Sequence, residues 1–377
     1  MGSGGEDSAL WHSGLYSIRM AAMSTEARTG SYRELKKMIT EAGLLEKQPR
    51  FYAYKISTAI LMIAGAITLV VVIGESWWQL GGAVVLALAG MQAALLGHDG
   101  GHRQIFHSIR KNDFVPLLLT GPVLGLNLSW WMDEHNLHHG LPNHETRDPN
   151  IDMRFWAFTE QQRGRRQGFY RWMVKYQAFA VIPLNMLGGF YKVIESGRYI
   201  KNRKLRHPRL EQLGYVVYWT WLLSLAFIVM SPLQAVAFLV VYYAVFGLSL
   251  GALIAPNHKG MLMVDDDHDL DFLRWQVLTA RNVRGGRLTD FFYGGLNYQI
   301  EHHLFPTMPR NLLPQAVKIV EPYCKKHGIS YHTTGVAEGF WEILREMHRL
   351  RVPETAVTNG GGGAEVTSAP STSDVTS

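Results

Sequence analysis

Cysteine is nearly absent. The 377 residues contain one, Cys324, which excludes an internal disulfide and a zinc–thiolate site. A lone thiol fits a reducing compartment. Charge is scarce too: 18% of residues are Asp, Glu, Lys or Arg while 47% are hydrophobic, and soluble domains carry about 25% charged residues. The most informative gap is in basic residues. No Lys or Arg occurs between Lys55 and Arg103, and none between Arg209 and Lys259. A membrane span takes about 20 apolar residues, so each gap holds two spans and a short turn. The expected spans are 53–74 and 77–96, then 215–230 and 233–255, each pair a hairpin. Basic residues gather outside the hairpins, which puts both termini and both long polar segments in the cytoplasm. The alternative, buried helices of a soluble protein, does not explain four paired runs free of basic charge.

The net charge of +6 sits on those polar segments, where it meets lipid headgroups. Nucleic acid is not an expected partner. Residues 1–30 are rich in Gly and Ser and lack the apolar run of a signal peptide; they are expected to be flexible. Residues 352–377, rich in Gly, Ser, Thr and Ala, are expected to be disordered. Residues 31–351 form the expected membrane domain. Within it, 31–45 reads as an amphipathic helix, solvated or touching the membrane. Pro116, Gly121, Pro122 and Gly125 interrupt the apolar stretch 114–131, which reads as a re-entrant or interfacial helix pair. Residues 172–189 read as an interfacial helix. Residues 273–280, 290–303, 312–327 and 338–350 read as further helices. The acidic run 265–269 lacks EF-hand spacing and the central Gly, and reads as a solvated turn.

Histidine is what the chain has in pattern. His98-Asp-Gly-Gly-His102 is an i, i+4 pair, and His135-Asn-Leu-His138-His139 places three imidazoles on one helical face. Gln299-Ile-Glu-His302-His303 repeats that spacing with Gln in the lead position. A pair spaced as the first arises by chance about 0.7 times in such a chain, but the triple only about 0.03 times. All three clusters fall on one expected face of the membrane, because complete hairpins separate them. His258 joins them by position, at the exit of the second hairpin. His107, His144 and His268 are read as ordinary histidines.

Eight imidazoles are too many for one zinc, which takes four ligands. Two metals would each receive about four. Asp99, Glu134 and Glu301 stand next to these histidines in sequence and are candidates to orient their N–H groups. Gln299 and Asn257 are candidates for a weak ligand or a water holder. A two-metal hydrolase would call for bridging carboxylates. A histidine-lined transporter would carry ionisable residues in mid-span. An all-histidine pair of metals facing lipid suits O2 chemistry on an apolar substrate better, with an electron source.

The three clusters resemble the histidine boxes of membrane fatty acid desaturases. The flank Leu304-Phe-Pro-Thr-Met-Pro-Arg310 and the Gln at 299 are similar to the front-end and acyl-CoA branch. The resemblance covers roughly residues 50 to 340. It implies an all-α integral membrane fold of four transmembrane helices with a cytoplasmic helical cap. It implies a non-haem di-iron centre that uses O2 and two electrons to place a cis double bond in a fatty acyl chain. Carried over by position, the iron ligands are His98, His102, His135, His138, His139, His302 and His303, with His258 as an additional one. The acyl carrier is CoA, a carrier protein or a phospholipid. No His-Pro-Gly-Gly haem motif occurs in these residues, so a separate ferredoxin, cytochrome b5 or reductase is expected to supply electrons. The basic runs 163–171 and 201–209 could dock it. The expected location is a bacterial plasma membrane. A hydroxylase or ketolase with the same histidine pattern is the alternative.

Overall fold

A computed structural model describes residues 31–351; the segments 1–30 and 352–377 lie outside the described residues, and with them the expectations of flexibility and disorder. In chain order the first helices are α1 (Tyr32–Glu41), α2 (Pro49–Ile73) and α3 (Gln79–Gly101). Then come α4 (Ile109–Leu119), α5 (Gly121–Leu124) and α6 (Leu128–Gly140). Short helices α7 (Glu160–Arg165) and α8 (Gly168–Lys175) precede the long α9 (Gln177–Asn202). Next are α10 (Pro208–Val229), α11 (Pro232–His258) and α12 (Phe272–Leu278). The strand β1 (Asn282–Val283), α13 (Arg287–Tyr293), α14 (Gln299–Leu304), α15 (Leu313–Lys326), β2 (Thr333–Thr334) and α16 (Val336–Arg349) complete the described chain.

Among the described residues four helices, α2, α3, α10 and α11, are long and apolar enough to cross a membrane. They begin and end within a few residues of the expected spans, except that α10 starts seven residues earlier, at Pro208. Pro stands in the first turn of α2, α10 and α11, where its missing N–H is not needed. α3 is the most enclosed of the four; it packs against α2 on one side and α11 on the other. The stretch 109–140 bends by 109° between α4–α5 and α6. Gly125 ends α5 at φ +69°, and a Cβ there would meet the Tyr218 ring at 2.5 Å. Positive φ and this contact both demand Gly. Asn127 then caps α6 by accepting from the Trp130 N–H at 2.8 Å. The buried carboxylate of Glu211 accepts from the Ser129 N–H and Oγ–H and from the His207 N–H. These bonds tie the start of α6 to the start of α10.

Of three hydrophobic clusters among the described residues, two are the larger. One is built from α2, α3, α10 and α11, with Ala59, Leu86, Leu222 and Phe238 among its buried members. The other joins α1, α12, α14 and α15 through Leu35, Ile39, Val277, Ile300 and Val320. α1 therefore turns its apolar face to α15, and not to solvent or lipid as read from the sequence: Leu35 and Ile39 are fully buried, and Tyr323 Oη accepts from the Ser31 N–H at 2.9 Å. The interfacial helix expected at 172–189 is two helices. α9 runs on to Asn202 and packs closely on α11, where a Cβ on Gly247 would lie 2.1 Å from the Asn185 carbonyl. The helix expected at 290–303 is also broken. Gly294 at φ +60° and Gly295 at φ +89° end α13 and turn the chain into α14. β1 pairs with β2 in parallel, Asn282 with Thr333 and Val283 with Thr334, and fixes the segment between α12 and α13.

Candidate metal centre

Three helices end where the histidines meet. His98 lies in the last turn of α3 and His102 caps it. His138 and His139 close α6, and His258 is the last residue of α11. A helix C-terminus carries partial negative charge, which favours a cation. The short α14 brings His302 and His303 from the opposite side.

The imidazoles fall into two groups. Ligand atoms of His98, His102, His135 and His302 lie within 4.8 Å of one another, as do those of His138, His258 and His303. His139 stands between them. Its Nε2 is 3.1 Å from both His135 Nε2 and His302 Nε2, and its ring stacks on His303 at 4.1 Å. The distance from His102 Nε2 to His135 Nε2 is 2.8 Å.

Whether these residues fit a cation can be tested from their protons. In the second group every Nδ1 has an acceptor. His138 Nδ1 is 2.9 Å from Asp148 Oδ2, His258 Nδ1 is 3.0 Å from the Thr279 carbonyl, and His303 Nδ1 is 2.8 Å from Gln276 Oε1. The Nδ1 proton serves those bonds, so in the neutral ring each Nε2 offers only a lone pair. Yet His138 Nε2 and His258 Nε2 lie 3.2 Å apart, and buried His303 Nε2 has no hydrogen-bond partner. Lone pairs facing one another repel unless a cation sits among them. In the first group both nitrogens of buried His98 are likewise without a partner. Burial, and then the neighbouring imidazoles, hold His302 and His303 well below the usual histidine pKa, which keeps them neutral as a ligand must be. The donor set fits metal ions that accept imidazole nitrogen.

The flanking residues behave unequally. The Asp99 carboxylate pairs with Arg310 Nε at 3.2 Å, while its distance to His98 Nδ1 is 3.6 Å. The buried Glu301 turns away from the imidazoles: Oε2 accepts from Asn282 Nδ2 and Oε1 from Tyr331 Oη, and burial pushes its carboxyl up to about 7. Asn257 Nδ2 donates to the carbonyls of Leu253 and Leu296 and to Gln299 Oε1. Those three acceptors set both amides, so Gln299 presents its NH2 to His258 Nε2 at 2.9 Å and keeps its oxygen on Asn257. Sequence reasoning missed Asp148 and Gln276, the acceptors on His138 and His303. Asp148 stood in a turn-rich loop ten residues beyond His138, and only burial marks it out. His144 pairs with Asp266 at 3.1 Å and His268 packs on Trp275, both outside the two groups.

A cavity of about 160 Å³ opens onto His98, His135, His138 and His258. Its walls are mainly apolar, from Met91, Leu126, Trp131, Leu250 and Leu253, with Glu134 and Lys192 also lining it. The arrangement can hold two cations beside a slot for an apolar chain.

Sequence comparison agrees with this chemistry. The fatty acid desaturase family profile matches residues 75–335. An acyl-lipid (9-3)-desaturase of Physcomitrium patens is 28% identical over 329 residues, spanning 85% of this chain and 62% of that protein. A Delta(8)-fatty-acid desaturase of Euglena gracilis is 30% identical over 329 residues, spanning 84% of this chain and 77% of its own. A Delta(5) fatty acid desaturase of Caenorhabditis elegans is 27% identical over 336 residues, 85% of this chain and 74% of its own. These relatives are eukaryotic, so they give the expected bacterial membrane no support. With a profile match over most of its length and these relatives, the chain belongs to the fatty acid desaturase family and is an oxidoreductase acting on fatty acids.

Proposed function

We propose that the desaturation performed by this chain runs at two non-haem iron ions. His98, His102, His135 and His302 hold one, and His138, His258 and His303 hold the other, with His139 between them. Iron is preferred to zinc because fatty acyl desaturation is a redox reaction, and zinc has no redox chemistry. Bound there, the metal pair supplies O2 activation and the oxidising power to remove two hydrogens from adjacent methylenes. The observation that carries this reading is the convergence of Nε2 lone pairs whose Nδ1 protons are already committed.

The chain's own residues do the rest. Asp148, Gln276 and the Thr279 carbonyl orient three ligand rings. Leu126, Leu250 and Ile254 line the slot beside the imidazoles and exclude water, so the position of the double bond follows from how the chain is held there. Residues 31–351 act as one membrane domain of two hairpins, with the histidines and both ends of that segment on the cytoplasmic side, a reading the placement of basic residues supports. With an ion on His258 Nε2, the Gln299 amide 2.9 Å away gives up that hydrogen bond and stands beside the second group as a neighbour or weak ligand. No haem motif lies in these residues, so a ferredoxin, cytochrome b5 or reductase brings electrons from outside them. Arg163, Arg165 and Arg166 already have carboxylate partners. Of residues 201–209, Arg206 also has one, Asp133 at 3.9 Å, which leaves that run only partly committed and the better docking surface.

The test is fatty acid profiling of a host expressing the full chain, with His138→Ala and His303→Ala beside it. A product 2 Da lighter than substrate, lost in both variants, supports the reading. A product 16 Da heavier indicates hydroxylation, and full activity in either variant refutes the ligand assignment.

A further inference from the structure

The cavity at the histidines is small. On the scale where a void of about 150 Å³ takes one benzene, its 160 Å³ accommodates about six carbons. A long acyl chain needs more room. A second cavity of about 600 Å³ adjoins it along α3 and α11. Met62 and Ala66 of α2, Leu88 of α3, Ala252 of α11 and Phe291 of α13 line it, and no charged side chain does.

Two residues line both cavities, Met91 of α3 and Leu253 of α11. They are only 5% and 6% exposed and stand on the two facing helices. Met91 precedes His98 by seven positions and Leu253 precedes His258 by five, roughly 7–10 Å of helix rise. Along α3 most of the second lining, from Val85 to Met91, lies on the side away from His98; along α11 the two linings alternate, with Ser249 and Ala252 of the second beside Leu250 and Leu253 of the first. A wall of Met and Leu can give way: Met has three rotatable bonds and no branch.

We propose that Met91 and Leu253 form a door between the two cavities, and that the methyl end of the acyl substrate passes it into the second. The carbons to be oxidised stay beside the histidines, and the remainder of the chain fills the space between α2, α3, α11 and α13. The residues at 91 and 253 then set which chain lengths are accepted. This inference rests on the chain acting on a fatty acyl substrate at the histidine clusters.

The experiment supplies fatty acids of graded chain length to a host expressing the full protein, Met91→Trp, Met91→Ala or Leu253→Trp, and measures conversion and iron per purified chain. Either Trp variant should shift the ratio of short- to long-chain conversion upward by at least about tenfold with iron unchanged. Met91→Ala should keep the longest substrates. An unaltered chain-length profile in both Trp variants overturns the door. Should the Trp variants lose iron, photolabelling decides on the unmodified protein with a fatty acid bearing a diazirine at its methyl end. Label on Met62, Phe291 or Phe292 supports the proposal; label confined to first-cavity residues such as Leu126 or Ile254 overturns it. An unmodified protein that desaturates no acid of any length refutes the underlying activity instead, and the door with it.

Discussion

His138 Nδ1 lies 2.9 Å from Asp148 Oδ2, and both side chains are buried. The same carboxylate accepts from the Asn143 and Asn150 N–H groups, so the acid is held before it holds the imidazole. Asp148→Asn keeps the shape and removes the charge. It should weaken metal binding or turnover about 10–100-fold, the usual cost of losing a carboxylate behind a ligand histidine. Iron titration of the purified variant, with turnover measured at saturating iron, checks this. Wild-type iron affinity and turnover would show that the pair does not tune the site.

Asp99 and Arg310 form a second buried pair, 3% and 6% exposed. It joins the end of α3 to the loop after α14, and so ties the first histidine cluster to the third. Arg310→Met leaves a buried carboxylate alone and should cost about 3–5 kcal/mol. Asp99→Asn combined with Arg310→Met should recover much of that loss. Thermal unfolding in nanodiscs distinguishes the two outcomes.

Arg281 has a fully buried side chain whose partner is Glu342. Burial alone would raise the Glu342 carboxyl, but the His332 hydrogen bond and Arg281 outweigh it, and its pKa ends below the usual glutamate value of 4.5. A carboxyl depressed on folding adds stability above its unfolded pKa and loses it as pH falls through the folded one. Glu342→Gln should therefore destabilise at neutral pH by about 3 kcal/mol and flatten the decline in melting temperature below about pH 4.5. A decline as steep as wild type would contradict this assignment.

Cys324 is fully buried, and burial pushes its thiol up to about 12. It should resist maleimide at pH 8 in the folded protein and react stoichiometrically once unfolded. Intact mass after labelling reads both states, and because the chain has one cysteine the reaction also reports unfolding directly.

The span-length helices were legible because lipid forbids basic charge in mid-span, and its absence marks them more sharply than hydropathy does. The histidine spacing was legible because a helical face imposes it. Residues acting through burial were not. Asp148 and Gln276 look like any polar loop or helix residue until the chain closes over them. The sequence reading ran one helix through Gly294–Gly295, while positive φ at both glycines stops it there. α9 was read too short because Lys192 and Glu195 interrupt its apolar pattern, although it packs on α11 over its middle turns. The apolar face of α1 gave no sign of whether protein, solvent or lipid covers it; α15 does.

The most direct test of the central claim is metal analysis of the full chain purified from iron-replete cells, alongside His258→Ala. Two groups of imidazoles predict two irons per wild-type chain and a lower iron content in the variant, whose second group keeps only His138 and His303. One iron per wild-type chain, zinc in place of iron, or an unchanged count in His258→Ala would contradict it.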